Sequence, residues 1–149
     1  MEKTTLHSLN ETKRYAVDTL DHIVKEKSKE KATLLSLSGE LGSGKTTFVQ
    51  YLGKTLGVAE HITSPTFVIL KNYLLENQPF KRFVHIDAYR LTKGEELLSL
   101  GWKQIINDPD NLVVIEWPEH VKEVLPENIH KILFEHISQN TRTITLQYA

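Results

Sequence analysis

Cysteine is absent from the 149 residues, so the chain has no disulfide framework, no thiolate metal site and no cysteine nucleophile. A reducing, cytoplasmic setting fits that lack. Long apolar runs are missing too. No stretch approaches the roughly 18 consecutive apolar residues of a membrane-spanning helix, and Met1-Glu2-Lys3-Thr4-Thr5 lacks the basic start and apolar run of a secretory leader. No membrane role is expected. Nor is there an excess of one charge, since Lys and Arg total 18 against 19 Asp and Glu, a formal net charge of -1. Without a global positive field the chain has little to hold a nucleic-acid backbone, so any contact with RNA is expected to be indirect. The densest charge run, residues 25–31, alternates in sign and reads as a solvated helix end. The 7 histidines show no ligand pair at helical spacing, which removes a zinc signature. Repeats, low-complexity tracts and dividing linkers are also lacking, so residues 1–149 are expected to form a single domain, short for an enzyme that carries its own substrate domain.

What the chain does contain is Gly39-Glu40-Leu41-Gly42-Ser43-Gly44-Lys45-Thr46, the complete G-x-x-x-x-G-K-[ST] phosphate-binding loop. It follows the apolar run Leu34-Leu35-Ser36-Leu37 and precedes a helical pattern. Its glycines let successive backbone N–H groups from Leu41 through Thr47 curl around an oligophosphate. Lys45 reaches the terminal phosphates, and the Thr46 hydroxyl is placed to ligate Mg²⁺. The helix that starts here turns its positive dipole end to the anion. The chain is expected to bind a nucleoside triphosphate.

The surrounding pattern is α/β, a phosphate-loop nucleotide-binding fold with a mixed parallel and antiparallel sheet flanked by helices. Ser8 and Glu11 have capping-box spacing ahead of an apolar face formed by Ala16, Leu20, Ile23 and Val24, predicting a helix to about Lys27. Residues 33–38 predict a buried strand, and Phe48, Val49, Leu52 and Leu56 a helix that stops at Gly57. Residues 66–73 and 82–87 read as an antiparallel strand pair. Thr92 and Glu95 suggest a second capping box, with a helix ending near Gly101. Leu112-Val113-Val114-Ile115 reads as a strand buried on both faces beside the phosphate-loop strand. Residues 129–148 predict a hairpin closing one edge.

A phosphate-loop enzyme needs a carboxylate at the end of a buried strand to hold Mg²⁺ through its water shell. Glu116 ends the most apolar run and is assigned to the metal; Asp87 is assigned to positioning the attacking water or a metal-bound water. Ser64-Pro65-Thr66 lies about where phosphate-loop switch proteins carry a threonine that senses the terminal phosphate. It also reads as a proline-started edge strand. Tyr89-Arg90 reads as a surface pair in preference to a charge-stabilising arginine, and Trp117 either as a packing residue or as a switch or partner contact. With no Asn-Lys-x-Asp element for guanine, ATP is the expected nucleotide.

Taken in order, Gly39 to Thr47, Ser64-Pro65-Thr66-Phe67, His85-Ile86-Asp87-Ala88-Tyr89-Arg90-Leu91 and Val114-Ile115-Glu116-Trp117-Pro118-Glu119 resemble the TsaE family, bacterial ATPases of tRNA threonylcarbamoyladenosine synthesis. The resemblance covers nearly the whole chain. It implies an ATPase that joins the TsaB and TsaD proteins, which transfer the threonylcarbamoyl group to tRNA. It also implies Mg²⁺ roles for Thr46 and Glu116, catalytic importance for Asp87 beside Lys45, switch behaviour for Ser64, Pro65 and Thr66, and functional importance for Trp117. Adenine contacts are implied near Ser8, Leu9 and Asn10 and in the C-terminal hairpin near Ser138 and Gln139. Ala88, where the family often has leucine, is a departure. A small-molecule kinase would need an arginine-bearing lid, which the Leu- and Glu-rich residues 91–106 do not offer. A nucleotide-dependent adaptor with negligible turnover would tolerate loss of Asp87 or Glu116, and both are present.

Overall fold

The most apolar runs of the chain lie side by side at the centre of one sheet. The computed structural model describes residues 2–63 and 69–149. Its strands are β1 (Glu2–Leu6), β2 (Thr33–Ser38), β3 (Leu70–Leu74), β4 (Arg82–Asp87), β5 (Asn111–Glu116), β6 (His130–Ser138) and β7 (Thr141–Gln147). Its helices are α1 (Leu9–Lys25), α2 (Lys45–Thr55), α3 (Glu95–Leu98) and α4 (Trp102–Ile106). The sheet has seven strands in the order β1-β7-β6-β2-β5-β4-β3. β2 runs parallel to both β5 and β6, and β4 runs parallel to β5. β3, β7 and β1 each join antiparallel to their neighbours, so the sheet is mixed as expected.

Burial on both faces explains why β2 and β5 are apolar without alternation. Leu35, Leu37, Phe83, Leu112 and Val114 face a layer made by Ala16, Leu20 and Ile23 of α1 and Phe48, Val49 and Leu52 of α2. Leu34, Val84, Ile86, Val113 and Ile115 face the other way, against Leu97, Trp102 and Val121. Each such side chain contributes about 1.5–3 kcal/mol relative to an exposed one. The sheet is therefore clamped between two apolar layers, and the carboxyl ends of β2, β4 and β5 are held level.

Several local expectations are refined. α1 starts as foreseen, with Ser8 Oγ accepting from the Glu11 N–H at 3.2 Å, but the Glu11 carboxylate accepts from the His7 N–H, and the helix ends at Lys25. The strand expected over 66–73 is seen as Leu70–Leu74; Ile69 is described as a bend ahead of it, and residues 66–68 lie outside the described ones. The Thr92 backbone N–H donates to Glu96, at 2.8 Å, because that carboxylate lies over the turn ahead of α3. Gly101, in the left-handed region at φ 88, starts α4, so residues 91–106 hold two short helices. The hairpin β6–β7 does not close the edge. β1 pairs outside β7, with Lys3 opposite Thr145 and Leu6 opposite Arg142. β1 has almost no apolar pattern, and only pairing with β7 makes its residues a strand.

Tyr15 of α1 packs toward Phe48, with ring centroids 6.4 Å apart. Burial, with the nearby Tyr148 and Glu2, pushes its pKa up to about 12, and burial also raises that of Tyr148. An unfolded tyrosine loses its proton near pH 10, whereas the folded chain holds these protons longer. Stability is therefore intact below about pH 10 and falls progressively toward about pH 12. Urea unfolding at stepped alkaline pH should show this decline, and Tyr15→Phe should flatten it, leaving the part due to Tyr148.

Candidate nucleotide-binding site

The phosphate loop leaves the carboxyl end of β2 between β5 and β6, where parallel sheets place their ligands. Gly39 sits at φ 138, and a Cβ there would run into the carbonyl oxygen of Phe134 on β6, so the loop can pass this close to the sheet only as glycine. Gly44 caps α2 in the left-handed region at φ 106, which turns the first N–H groups of the helix into the loop. Ser43 is buried, and its hydroxyl has no hydrogen-bond partner among the described residues.

Lys45 is only 5% exposed. Its ammonium donates to the Gly39 carbonyl and lies 3.7 Å from the centre of the Trp117 ring, a cation–π contact. Burial holds its pKa below that of an ordinary lysine, against the pull of Glu116, Glu119 and Asp87. Two of those carboxylates come from adjacent strands: Asp87 and Glu116 are register partners at the ends of β4 and β5, and Glu119 follows in the turn at 118–120. The Glu116 carboxylate is buried and accepts a hydrogen bond from Nε2 of the fully buried His85 at 2.6 Å. Asp87 Oδ1 accepts from the Tyr89 N–H at 3.0 Å, which turns the chain after β4.

Trp117 follows Glu116 at φ 58 and ψ 52, a left-handed conformation that costs a bulky residue on the order of 1–3 kcal/mol. It is held there by its N–H to the Leu37 carbonyl, at 3.2 Å, and by its ring stacked 5.7 Å from His120, with Tyr89 at 5.1 Å. This strain aims the indole at Lys45.

Ser8, Leu9 and Asn10 begin α1 directly after β1, whose last residue Leu6 is paired with Arg142, and Ser138 and Gln139 form the β6–β7 turn beside that position. Both segments thus lie at the phosphate-loop end of the sheet. Leu9 and Thr47 line one cleft of about 440 Å³, together with Gln50, Tyr51 and His61. A cleft of about 460 Å³ containing Thr33, Leu34 and His130 lies at the opposite end, where the parallel strands begin, away from the phosphate loop. Leu41 and Gly42 form the exposed tip of the loop. Ser64, Pro65 and Thr66 lie outside the described residues. His85 and Arg142 were not singled out in the sequence. His85 stands two residues before Asp87, so strand alternation puts both on one face; Arg142 has no local signal at all.

The family model of threonylcarbamoyl adenosine biosynthesis protein TsaE matches residues 6–144. The chain belongs to the TsaE family. The tRNA threonylcarbamoyladenosine biosynthesis protein TsaE of Borreliella burgdorferi is 41% identical over 92 residues, 62% of this chain and 64% of its own length. That of Streptomyces coelicolor is 44% identical over 98 residues, 64% and 63% respectively, so the match spans less than two thirds of either relative. The TsaE protein of Rickettsia typhi is 32% identical over 144 residues, 96% of this chain and 92% of its own. The crystal structure of Bacillus subtilus YdiB superposes with a TM-score of 0.68 at 26% identity, over 97% of this chain and 83% of that one.

The His85–Glu116 pair has a measurable consequence. His85→Phe keeps roughly the same volume but leaves a buried carboxylate without its donor, which should destabilise the fold by about 3 kcal/mol. Urea unfolding checks this; a loss below about 1 kcal/mol would mean that Glu116 finds another partner or reaches water.

Proposed function

We propose that this chain is the ATP-binding and ATP-hydrolysing component of tRNA threonylcarbamoyladenosine synthesis, acting with the TsaB and TsaD proteins. Membership of the TsaE family supports the pathway. The observation that carries the chemistry is the convergence of buried Lys45 and Glu116 and partly buried Asp87 on one phosphate loop. tRNA is reached through the complex, because the chain's net charge of -1 offers no footprint of its own. The described residues include no helix long and apolar enough to cross a membrane.

Mg²⁺ fits this donor set. No group of three or more His, Cys, Asp or Glu side chains that could hold a metal occurs among the described residues. Thr46, through its hydroxyl, and Glu116, through the water shell, would hold such a hard cation. When bound, it neutralises charge on the phosphate oxygens. Backbone N–H groups from Leu41 to Thr47 hold the phosphates, and Ser43 Oγ, now without a partner, gains one. Lys45 swings from the Trp117 face to the terminal phosphates. Asp87 orients the attacking water, while the cleft beside Leu9 and Thr47 receives the nucleoside. Trp117 then reports on occupancy to the partner surface, and Thr66 senses the terminal phosphate.

Lys45→Ala should abolish ATP binding in a fluorescent-nucleotide titration, Glu116→Ala should weaken its Mg²⁺ dependence, and Asp87→Ala should spare binding and slow turnover. Wild-type turnover should be slow alone and rise with TsaB and TsaD, since groups supplied by a partner are worth about 10³ to 10⁵ in rate in other phosphate-loop systems. Equal turnover with and without those proteins would remove the coupling.

A second outcome concerns the 2 tryptophans. Trp102 is buried with its N–H on the Val124 carbonyl at 3.0 Å, so its emission should not respond to ligand. Trp117 should respond as Lys45 leaves its ring. ATP is therefore expected to change the intrinsic fluorescence of the wild type and not that of Trp117→Phe.

A further inference from the structure

Arg142 is the second residue of β7, opposite His136 on one side and Leu6 of β1 on the other. The register of β6 and β7 shifts between His136 and Ser138, an irregularity of the kind that re-aims side chains at the end of a sheet. Its guanidinium lies against Gly44 of the phosphate loop. A Cβ at Gly44 would meet Nη1 at 2.5 Å and both Cδ and Cζ at 3.3 Å, so a side chain at Gly44 would displace the arginine. Gly44 thus serves two purposes, the left-handed turn into α2 and the seat for this side chain.

The surroundings of Arg142 are unlike those of the chain's other arginines. Arg82 is tied to Asn111, at 2.7 Å, and to Asp108. Arg14 is exposed on α1, and Arg90 has contacts of its own. Arg142 is half-buried, and its guanidinium makes no hydrogen bond or ion pair with any described residue. Withdrawing a cation from water without a counter-charge is unfavourable. The carboxylates near the loop, Glu116, Asp87 and Glu119, act on Lys45 instead.

We infer that Arg142 is a second cationic contact for the nucleotide, its guanidinium binding the phosphate chain from across Gly44 while Lys45 binds it from within the loop. This rests on the nucleotide-binding reading above. A planar fork of donors matches two phosphate oxygens at once, which a single ammonium cannot do. The arginine is supplied by the C-terminal hairpin of the same chain, so ground-state phosphate binding is completed without a partner. β1 takes part indirectly, because its Leu6 pairing holds the backbone of Arg142 in place.

Isothermal titration of the full chain with ATP, ADP and adenosine, in the wild type, Arg142→Ala, Arg142→Lys and Lys45→Ala, tests the inference. Arg142→Ala should weaken ATP and ADP at least tenfold and adenosine less than twofold, with Arg142→Lys recovering part of the loss. The ATP affinity of the wild type should fall more steeply with added salt than that of Arg142→Ala. Thermal melting without nucleotide should match the wild type; if Arg142→Ala does not fold, Arg142→Lys alone should still weaken ATP at least threefold. ATP affinity unchanged in the arginine variants, but lost in Lys45→Ala, overturns the role of Arg142 and leaves the nucleotide-binding reading intact. Equal losses for adenosine and ATP overturn the phosphate assignment. A wild type that binds no nucleotide overturns both.

Discussion

The parallel pairing of β2 with β5, and of β5 with β4, is the constraint on which the site depends. It sets Leu37 opposite Glu116 and Glu116 opposite Asp87, so the phosphate loop and both acids leave the sheet at the same level. A slip of one residue would send Glu116 to the opposite face, because side chains alternate along a strand. The register is fixed by apolar burial on both faces, where Leu112 and Val114 serve one layer and Val113 and Ile115 the other. The core therefore positions the chemistry as well as stabilising the fold.

Around that frame the polar groups of the site are balanced against one another before any ligand arrives. Lys45 is nearly buried and is satisfied by a carbonyl and an indole face. Glu116 is satisfied by His85. Trp117 bears backbone strain, and that strain is sustained by stacking with His120 and a hydrogen bond to β2. Ser43 Oγ, His85 Nδ1 and the Arg142 guanidinium have no hydrogen-bond partner among the described residues. Two of these three lie in or on the phosphate loop. His22 Nε2 on α1 and Tyr73 OH on β3 are likewise without a hydrogen bond, so what marks the loop is the pairing of an unpartnered hydroxyl with an unpartnered cation where a phosphate would sit.

Edge construction matters for the same site. The hairpin β6–β7 carries Arg142 and the turn at Ser138 and Gln139, and it is stiffened by β1 on its outer side. β1 has little apolar character of its own, and its value lies in covering the backbone groups of β7 and in delivering Ser8 to the start of α1. In the TsaE family architecture seen here, the ends of the chain thus brace the loop that the middle of the chain builds.

The sequence by itself determined the features whose physics is local or periodic. The phosphate loop is contiguous, and its glycines, lysine and threonine act through one backbone turn, so spacing alone identifies it. Burial on both faces left its trace in residues 112–115, and alternation marked the hairpin. Tertiary structure alone decided what joins distant segments. Capping-box spacing favours Glu95, and only the fold of the turn made Glu96 the acceptor instead. β1 has no pattern to read because its partner supplies the pattern. His85 meets Glu116 only because β4 and β5 run parallel in one register, and Arg142 meets Gly44 only because the hairpin returns beside β2. The last two contacts depend on side chains placed by strand pairing between distant segments, and no local window of sequence contains both partners.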